Sequence, residues 1–277
     1  MFATGLITFR ETLEVALVVG ILLTFFTKTR QTQFNKYVWY GVTGGVGLSI
    51  LLAFVLYITF GGFEGKTEEI FEGILMFATA GFLTWMILWV HRQKGIATKL
   101  QKKAQYHIQK GYPLGIVFLT ITSVIREGVE TVFYLRAISV LAGGSQLAGA
   151  LLGMGFAIGL GYAIFRYSLK INLAKLLQIS GAILLLFAAG LVAHGVHEFQ
   201  EAGVLPIFSF DPLLNISHIL DNGSFLGSIL RTLFGYTAKP TILELLSYGS
   251  YVFLIFFIEN ITDRMLLAKK ATVINNR

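Results

Sequence analysis

An all-α, polytopic membrane protein is the fold class that the sequence predicts, and three observations predict it. Hydrophobic residues make up 55% of the 277 and charged residues only 13%, about half the charged share of a soluble domain. The apolar residues come in long blocks: Trp39 to Phe60 and Leu176 to Ala193 hold no charge at all. These blocks do not alternate in the way a barrel strand does over about ten residues. Only a helix then satisfies its own backbone in lipid, and about 20 residues cross roughly 30 Å of hydrocarbon.

Seven spans follow, over roughly 3–26, 37–60, 70–91, 112–140, 146–167, 176–196 and 241–260. The first is apolar except for Arg10, Glu11 and Glu14. No basic segment precedes it and no small-residue cleavage pattern follows, so it is expected to be a retained helix and not a signal peptide. The second starts at the interfacial aromatics Tyr37, Trp39 and Tyr40, and Trp85 and Trp89 end the third, as in an aromatic belt. The third begins with Glu68, Glu69 and Glu72, and the fourth carries Arg126, Glu127 and Glu130, with Arg136 placed to snorkel. The glycines of the second and fifth spans are expected to serve close helix packing. The sixth ends at His194, His197, Glu198 and Glu201; Glu244 opens the seventh, as an anchor. Between these two, residues 204–239 are semi-apolar and broken by Pro206, Pro212 and Asn222-Gly223, with room for one short interfacial helix.

Charge sorts the loops. Most of the 22 basic residues fall after the first, third and fifth spans (Lys28 to Lys36, Arg92 to Lys110, Arg166 to Lys175) or in the tail from Arg264 to Arg277. The positive-inside rule makes that side cytoplasmic, with the N-terminus outside and the C-terminus inside. The net charge of +7 therefore reflects orientation and anionic-lipid contact, not a nucleic-acid partner. Outside, Glu64, Glu68, Glu69, Glu72, Glu198, Glu201, Asp211 and Asp221 form a negative rim suited to an approaching cation, or simply complement the orientation bias.

Spans one to three repeat in spans four to six. Arg10-Glu11-Thr12-Leu13-Glu14 matches Arg126-Glu127-Gly128-Val129-Glu130, Gly45 to Ile50 resembles Gly153 to Ile158, and Phe77 to Gly81 resembles Phe187 to Gly190. An odd number of spans per copy inverts the second copy, an arrangement that places substrate near the midplane and suits alternating access. One transporter domain is expected over 1–263, with repeat one at about 3–91, repeat two at about 112–196, an outer loop at 197–240, the seventh helix at 241–260 and a cytoplasmic tail at 264–277.

The chemistry lies in the charged motifs. Residues three and four apart share a helix face, so Arg10 can pair with Glu14 while Glu11 and Glu14 project together, and likewise for Arg126, Glu127 and Glu130. On a soluble helix this would be an ordinary surface ion pair. In a span each charge opposes insertion by about 2.5–3.5 kcal/mol, so these groups must face the bundle interior and find partners. One arginine per motif leaves a glutamate over in each helix. Four ionised glutamates against two arginines leave two negative charges in excess, matched to a divalent or trivalent cation. Cysteine is absent, which removes thiolate sites, iron–sulfur clusters and cysteine nucleophiles; carboxylates favour hard cations. The leftover glutamate of Glu11 and Glu14 and that of Glu127 and Glu130, brought together, form a cation site, and Arg10 and Arg126 moderate its affinity so that the ion can be released.

The paired Arg-Glu-x-x-Glu motifs, the acidic Glu68-Glu69-Ile70-Phe71-Glu72-Gly73 stretch and His197-Glu198-Phe199-Gln200-Glu201-Ala202-Gly203 resemble the high-affinity iron permease family, the oxidase-dependent iron transporters of fungi and bacteria. The likeness covers all seven spans. It implies an iron importer of the cell membrane, with iron as substrate, no permanently bound cofactor and the four motif glutamates as permeation ligands. It also implies a separate partner that supplies iron, a multicopper oxidase in fungi or periplasmic proteins in bacteria. Another divalent metal, such as lead or manganese, is the nearest alternative, since carboxylates discriminate poorly. An intramembrane carboxylate enzyme and a non-transporting sensor are alternatives of other classes; the enzyme lacks a nucleophile and base pair. Glu69, Glu72, His194, His197, Glu198 and Glu201 are candidates for an outer metal-loading site. Helix capping and interfacial hydrogen bonding is the competing role for the histidine group, whose zinc-protease likeness lacks the second histidine.

Overall fold

The computed structural model describes residues 2–60, 65–92, 96–110, 112–142, 146–167, 173–208 and 224–275. Glu64, Asp211, Pro212, Asp221, Asn222 and Gly223 lie outside the described residues, as do the side chains of Trp89, Arg92 and the basic tail. Among the described residues there is no strand. The helices are α1 (Phe2–Lys28), α2 (Asn35–Phe60), α3 (Lys66–Arg92), α4 (Ile96–Gln109), α5 (Pro113–Ala142), α6 (Leu147–Tyr167), α7 (Leu173–Glu201), α8 (Phe225–Phe234) and α9 (Ile242–Asn275).

Among the described residues, four segments are long and apolar enough to cross a membrane: Thr32–Thr59, Lys66–Leu88, Leu147–Tyr167 and Ile179–Glu201, with Ile242–Ile258 a shorter apolar stretch. The charged motifs interrupt α1 and α5 near their middles. The exposed surface of these helices is apolar: Ile50, Leu51, Phe54 and Ile58 on α2, Leu151, Leu152 and Phe156 on α6, and Phe253, Phe256 and Phe257 on α9 all face outward. Water would not tolerate so large an apolar surface; lipid does.

The chain forms two compact units. The first comprises Met1–Glu64 and Gln93–Ser180, the second Gly65–Arg92 and Gly181–Arg277.

In the first unit α1 packs on α6, α2 on α5, and α1 on α5. The α6 residues turned inward are all small, Gly149, Ala150, Gly153, Ala157 and Gly161, so that most of them recur every four residues along one face. A Cβ on Gly153 would overlap the Gly5 carbonyl oxygen and Thr8 Oγ1 of α1, and one on Gly45 of α2 would overlap Val124 of α5. The expected close packing of these glycines is therefore what brings the backbones together, in a medium that offers no hydrophobic drive between helices.

The stretch from Arg92 to Lys110, read above as an orientation signal and an anionic-lipid contact, contains α4. Its Leu100 and Ala104 are buried with Val19, Leu22, Phe26, Val38 and Ile116 of the same unit. A hydropathy scan passes over such a helix because its basic residues outweigh its narrow apolar stripe.

In the second unit α3 and α7 meet where Gly73 faces the Gly195 carbonyl, a Cβ on Gly73 lying 3.2 Å from that oxygen. Phe77 and Phe199 stack beside it with centroids 5.8 Å apart. The short helix expected in 204–239 is α8, capped by Ser224, whose hydroxyl accepts from Gly227 N–H. It ends at Gly235, where φ is +66° and the backbone lies against Gly190, so a side chain is excluded twice. The seventh helix does not stop at 260: α9 runs to Asn275 through the expected tail, because residues 261–275 contain neither glycine nor proline.

Candidate metal centre

Two helices of the first unit supply the centre. Arg10, Glu11 and Glu14 stand on α1, and Arg126, Glu127 and Glu130 on α5. Arg10, Glu11, Glu127 and Glu130 are each at most 2% exposed, a degree of burial at which charge survives only with partners.

The pairing is richer than one arginine to one glutamate. Arg10 holds both acids of its helix, Nη1 at 2.5 Å from Glu11 and Nη2 at 2.6 Å from Glu14. On α5 the partner of Arg126 is its neighbour Glu127, to which Nε donates at 3.0 Å, while Glu130 is 3.9 Å away. Arg126 also reaches across to Glu14 of α1 at 3.9 Å. The expectation that each arginine satisfies the glutamate four residues on, leaving the other free, is thus corrected. A guanidinium has five donors in a fork and can serve neighbouring carboxylates at once.

Carboxylate oxygens remain over. Glu11 Oε2, Glu127 Oε2 and both oxygens of Glu130 are buried and accept no hydrogen bond. One ligand oxygen each from Glu11, Glu127 and Glu130 can be chosen so that all lie within 4.8 Å of one another, and among the described residues this trio alone has such a spacing. Three anionic oxygens converging from two helices make a donor set for a hard cation. Glu14, the fourth expected ligand, lies beside them in the arginine pairs.

The outer set lies in the second unit and is organised differently. Glu69 and Glu72 are on α3, and His194, His197, Glu198 and Glu201 are on α7, which continues far enough to put all four on one face. His197 Nε2 is 3.3 Å from Glu201 and Nδ1 is 2.8 Å from Glu244 of α9. The His194 and His197 rings lie 5.7 Å apart, and Glu72, Glu201 and Glu69 are near enough to Glu198 to act on its charge. The set is drawn together without closing to the spacing of the carboxylate trio.

Sequence reasoning missed Glu244. Read as an anchor, it is in fact buried, and its Oε1 lies 2.8 Å from His197 and accepts from the Thr241 hydroxyl at 3.2 Å. Thr241 Oγ1 also lies 2.9 Å from Gln200 Oε1, so its single proton lies between two acceptors. No spacing rule links residues 47 positions apart; the available signal was a lone acid opening an apolar helix.

The profile of the Iron permease FTR1 family matches residues 1–271. The chain is 33% identical over 256 residues to the "Ferrous iron permease EfeU" of Yersinia pestis, covering 91% of this chain and 90% of the relative. It is 33% identical over 255 residues to the protein of that name from Yersinia pseudotuberculosis, covering 91% and 89%. To that of Escherichia coli O6:H1 it is 30% identical over 256 residues, covering 91% and 92%. No solved structure matches. A match running nearly end to end, on a chain whose helices present apolar faces outward and buried carboxylates inward, identifies it: the protein belongs to the Iron permease FTR1 family, and is a membrane transporter and not an enzyme.

Proposed function

We propose that the protein imports iron across the cell membrane through the paired Arg-Glu-x-x-Glu motifs. The observation that carries this reading is the convergence of Glu11, Glu127 and Glu130 from two helices, with buried oxygens left over for a cation. Iron as the cargo is favoured by the relatives, whose names say ferrous iron permease. Glu14 completes the four motif ligands once an ion competes with the arginines for it, and Arg10 and Arg126 keep the binding weak enough for release.

Seven spans cross the bilayer, α1, α2, α3, α5, α6, α7 and α9, with the N-terminus outside, the C-terminus in the cytoplasm and one transporter domain over 1–263. α1 and α5 count as spans because their charges are paired and turned inward. Inverted repeats are supported by reciprocal packing: the first helix of each copy lies on the second helix of the other. When Arg10 is laid on Arg126 and Gly45 on Gly153, Thr8 falls on Val124. The Thr8–Gly153 and Val124–Gly45 contacts are then counterparts. Such symmetry suits alternating access around a fixed site.

Glu69, Glu72, His194, His197, Glu198 and Glu201, joined by Glu244, serve as an outer metal-loading group, and a separate oxidase or periplasmic protein delivers iron. The test is metal uptake into proteoliposomes with iron, manganese and lead offered in turn. Iron should accumulate in preference, and Glu130→Gln should abolish uptake although the variant is inserted normally. Uptake of all three metals at equal rates, or normal iron uptake by that variant, overturns the reading.

A further inference from the structure

One buried group beside the carboxylates is used by neither the motif nor the ion pairs. Tyr134 of α5 is fully buried, and its hydroxyl has no hydrogen-bond partner. Folded proteins rarely orphan such a group, and an ion is among the few things that explain one. The helix sets its place. Glu127, Glu130 and Tyr134 fall at i, i+3 and i+7 on one face, and a long side chain on a helix leans toward the N-terminus, so the ring extends back over the turn that holds Glu130. Glu11, Glu130 and Arg10 are all close enough to act on the charge of the phenol oxygen.

We propose that Tyr134 is a further oxygen ligand of the ion held by Glu11, Glu127 and Glu130, and that it biases the site toward ferric over ferrous iron. This rests on the reading of those glutamates as iron ligands. As the oxygen–metal bond forms, the phenol O–H bond breaks and its proton is released to water; no electron is transferred. The resulting phenolate is a hard, anionic oxygen donor. Added to the two negative charges in excess among the four glutamates and two arginines, it brings the site to three, the charge that a trivalent ion neutralises. A ring that merely fills the core has no need of its hydroxyl, and phenylalanine would serve there without orphaning a polar atom.

The test uses the full chain in lipid nanodiscs, titrated with ferric citrate and, without oxygen, with ferrous sulfate. Absorption spectra and equilibrium dialysis are recorded for the wild type, Tyr134→Phe and Glu130→Gln. Tyr134→Phe keeps the ring and removes one oxygen, and its melting temperature checks the fold. The wild type should develop a visible phenolate-to-iron charge-transfer band with ferric iron. Tyr134→Phe should lack it and bind ferric iron about tenfold more weakly, with ferrous binding within about twofold of the wild type. A band that persists in Tyr134→Phe, a wild type without one, or equal changes in ferric and ferrous affinity overturns the proposal. If Glu130→Gln loses iron while Tyr134→Phe behaves as wild type, the tyrosine role alone falls. If Glu130→Gln binds iron as the wild type does, the carboxylate reading falls with it.

Discussion

Two clusters of acidic side chains, one in each compact unit, are built from similar parts and reach opposite results. Both arise from glutamates three residues apart on helices, Glu11 with Glu14 and Glu127 with Glu130 in one unit, Glu69 with Glu72 and Glu198 with Glu201 in the other. In the first, four carboxylates meet two arginines, Glu11, Glu127 and Glu130 are buried, and oxygens are left unbonded and convergent. In the second, His197 takes up Glu201 and Glu244, Thr241 links Glu244 to Gln200, and Glu201 is 54% exposed. Residue spacing and burial are shared by both clusters, since Glu198 and Glu244 of the second are buried too. What sets the first apart among the described residues is convergence, with ligand oxygens of Glu11, Glu127 and Glu130 within 4.8 Å of one another.

If that contrast is right, variants in the two clusters should differ most in transport. Glu127→Gln keeps the shape and removes the charge, and uptake into proteoliposomes should fall by more than about a hundredfold, beyond the range typical of residues that only support a ligand. Glu201→Gln should leave uptake within a few fold. Equal losses would erase the distinction between the clusters.

The arginines should separate next, in stability. Arg10 is buried and holds two carboxylates, so Arg10→Leu strands both and should cost about 3–5 kcal/mol, seen as poor insertion or a strongly lowered melting temperature. Arg126 is 37% exposed, and Arg126→Leu should damage the fold less, with the difference visible in a detergent melting series. A larger effect at Arg126 would mean that exposure does not rank these pairs.

The framework behind the first cluster can be probed without touching a charge. Gly153→Val inserts atoms where the α1 backbone lies and should cost at least the roughly 1–3 kcal/mol of core overpacking. Gly155→Ala, on the same helix with no atom within 4 Å of the new Cβ, should leave thermal stability unchanged. Smallest of all, His197→Ala should raise the KM for iron about threefold with kcat unchanged, the sign of lost capture and not of lost conduction. A fall in kcat would instead put the outer group on the conducting path.

Much of this was legible in the chain itself. The α1 and α5 motifs, the continuation of α7 as far as Glu201, the close-packing role of Gly45 and Gly153 and the short helix now seen as α8 all follow from hydropathy and helical spacing, which act over a few turns. α4 was not legible, because its apolar stripe is narrow and the rest of the helix is basic, and neither was the pairing of Arg126 with Glu127, because rotamer choice decides which of two neighbouring acids a guanidinium meets.

What the sequence determined by itself is a chain that prefers lipid to water and carries charges that lipid cannot accept alone. Only the tertiary structure decided where those charges go: Glu11 to Glu127 and Glu130, and His197 to Glu244. The reason is one of range. Hydropathy and helix periodicity are properties of neighbouring residues, whereas partners far apart in the chain meet only after small side chains such as Gly45 and Gly153 let particular helices approach.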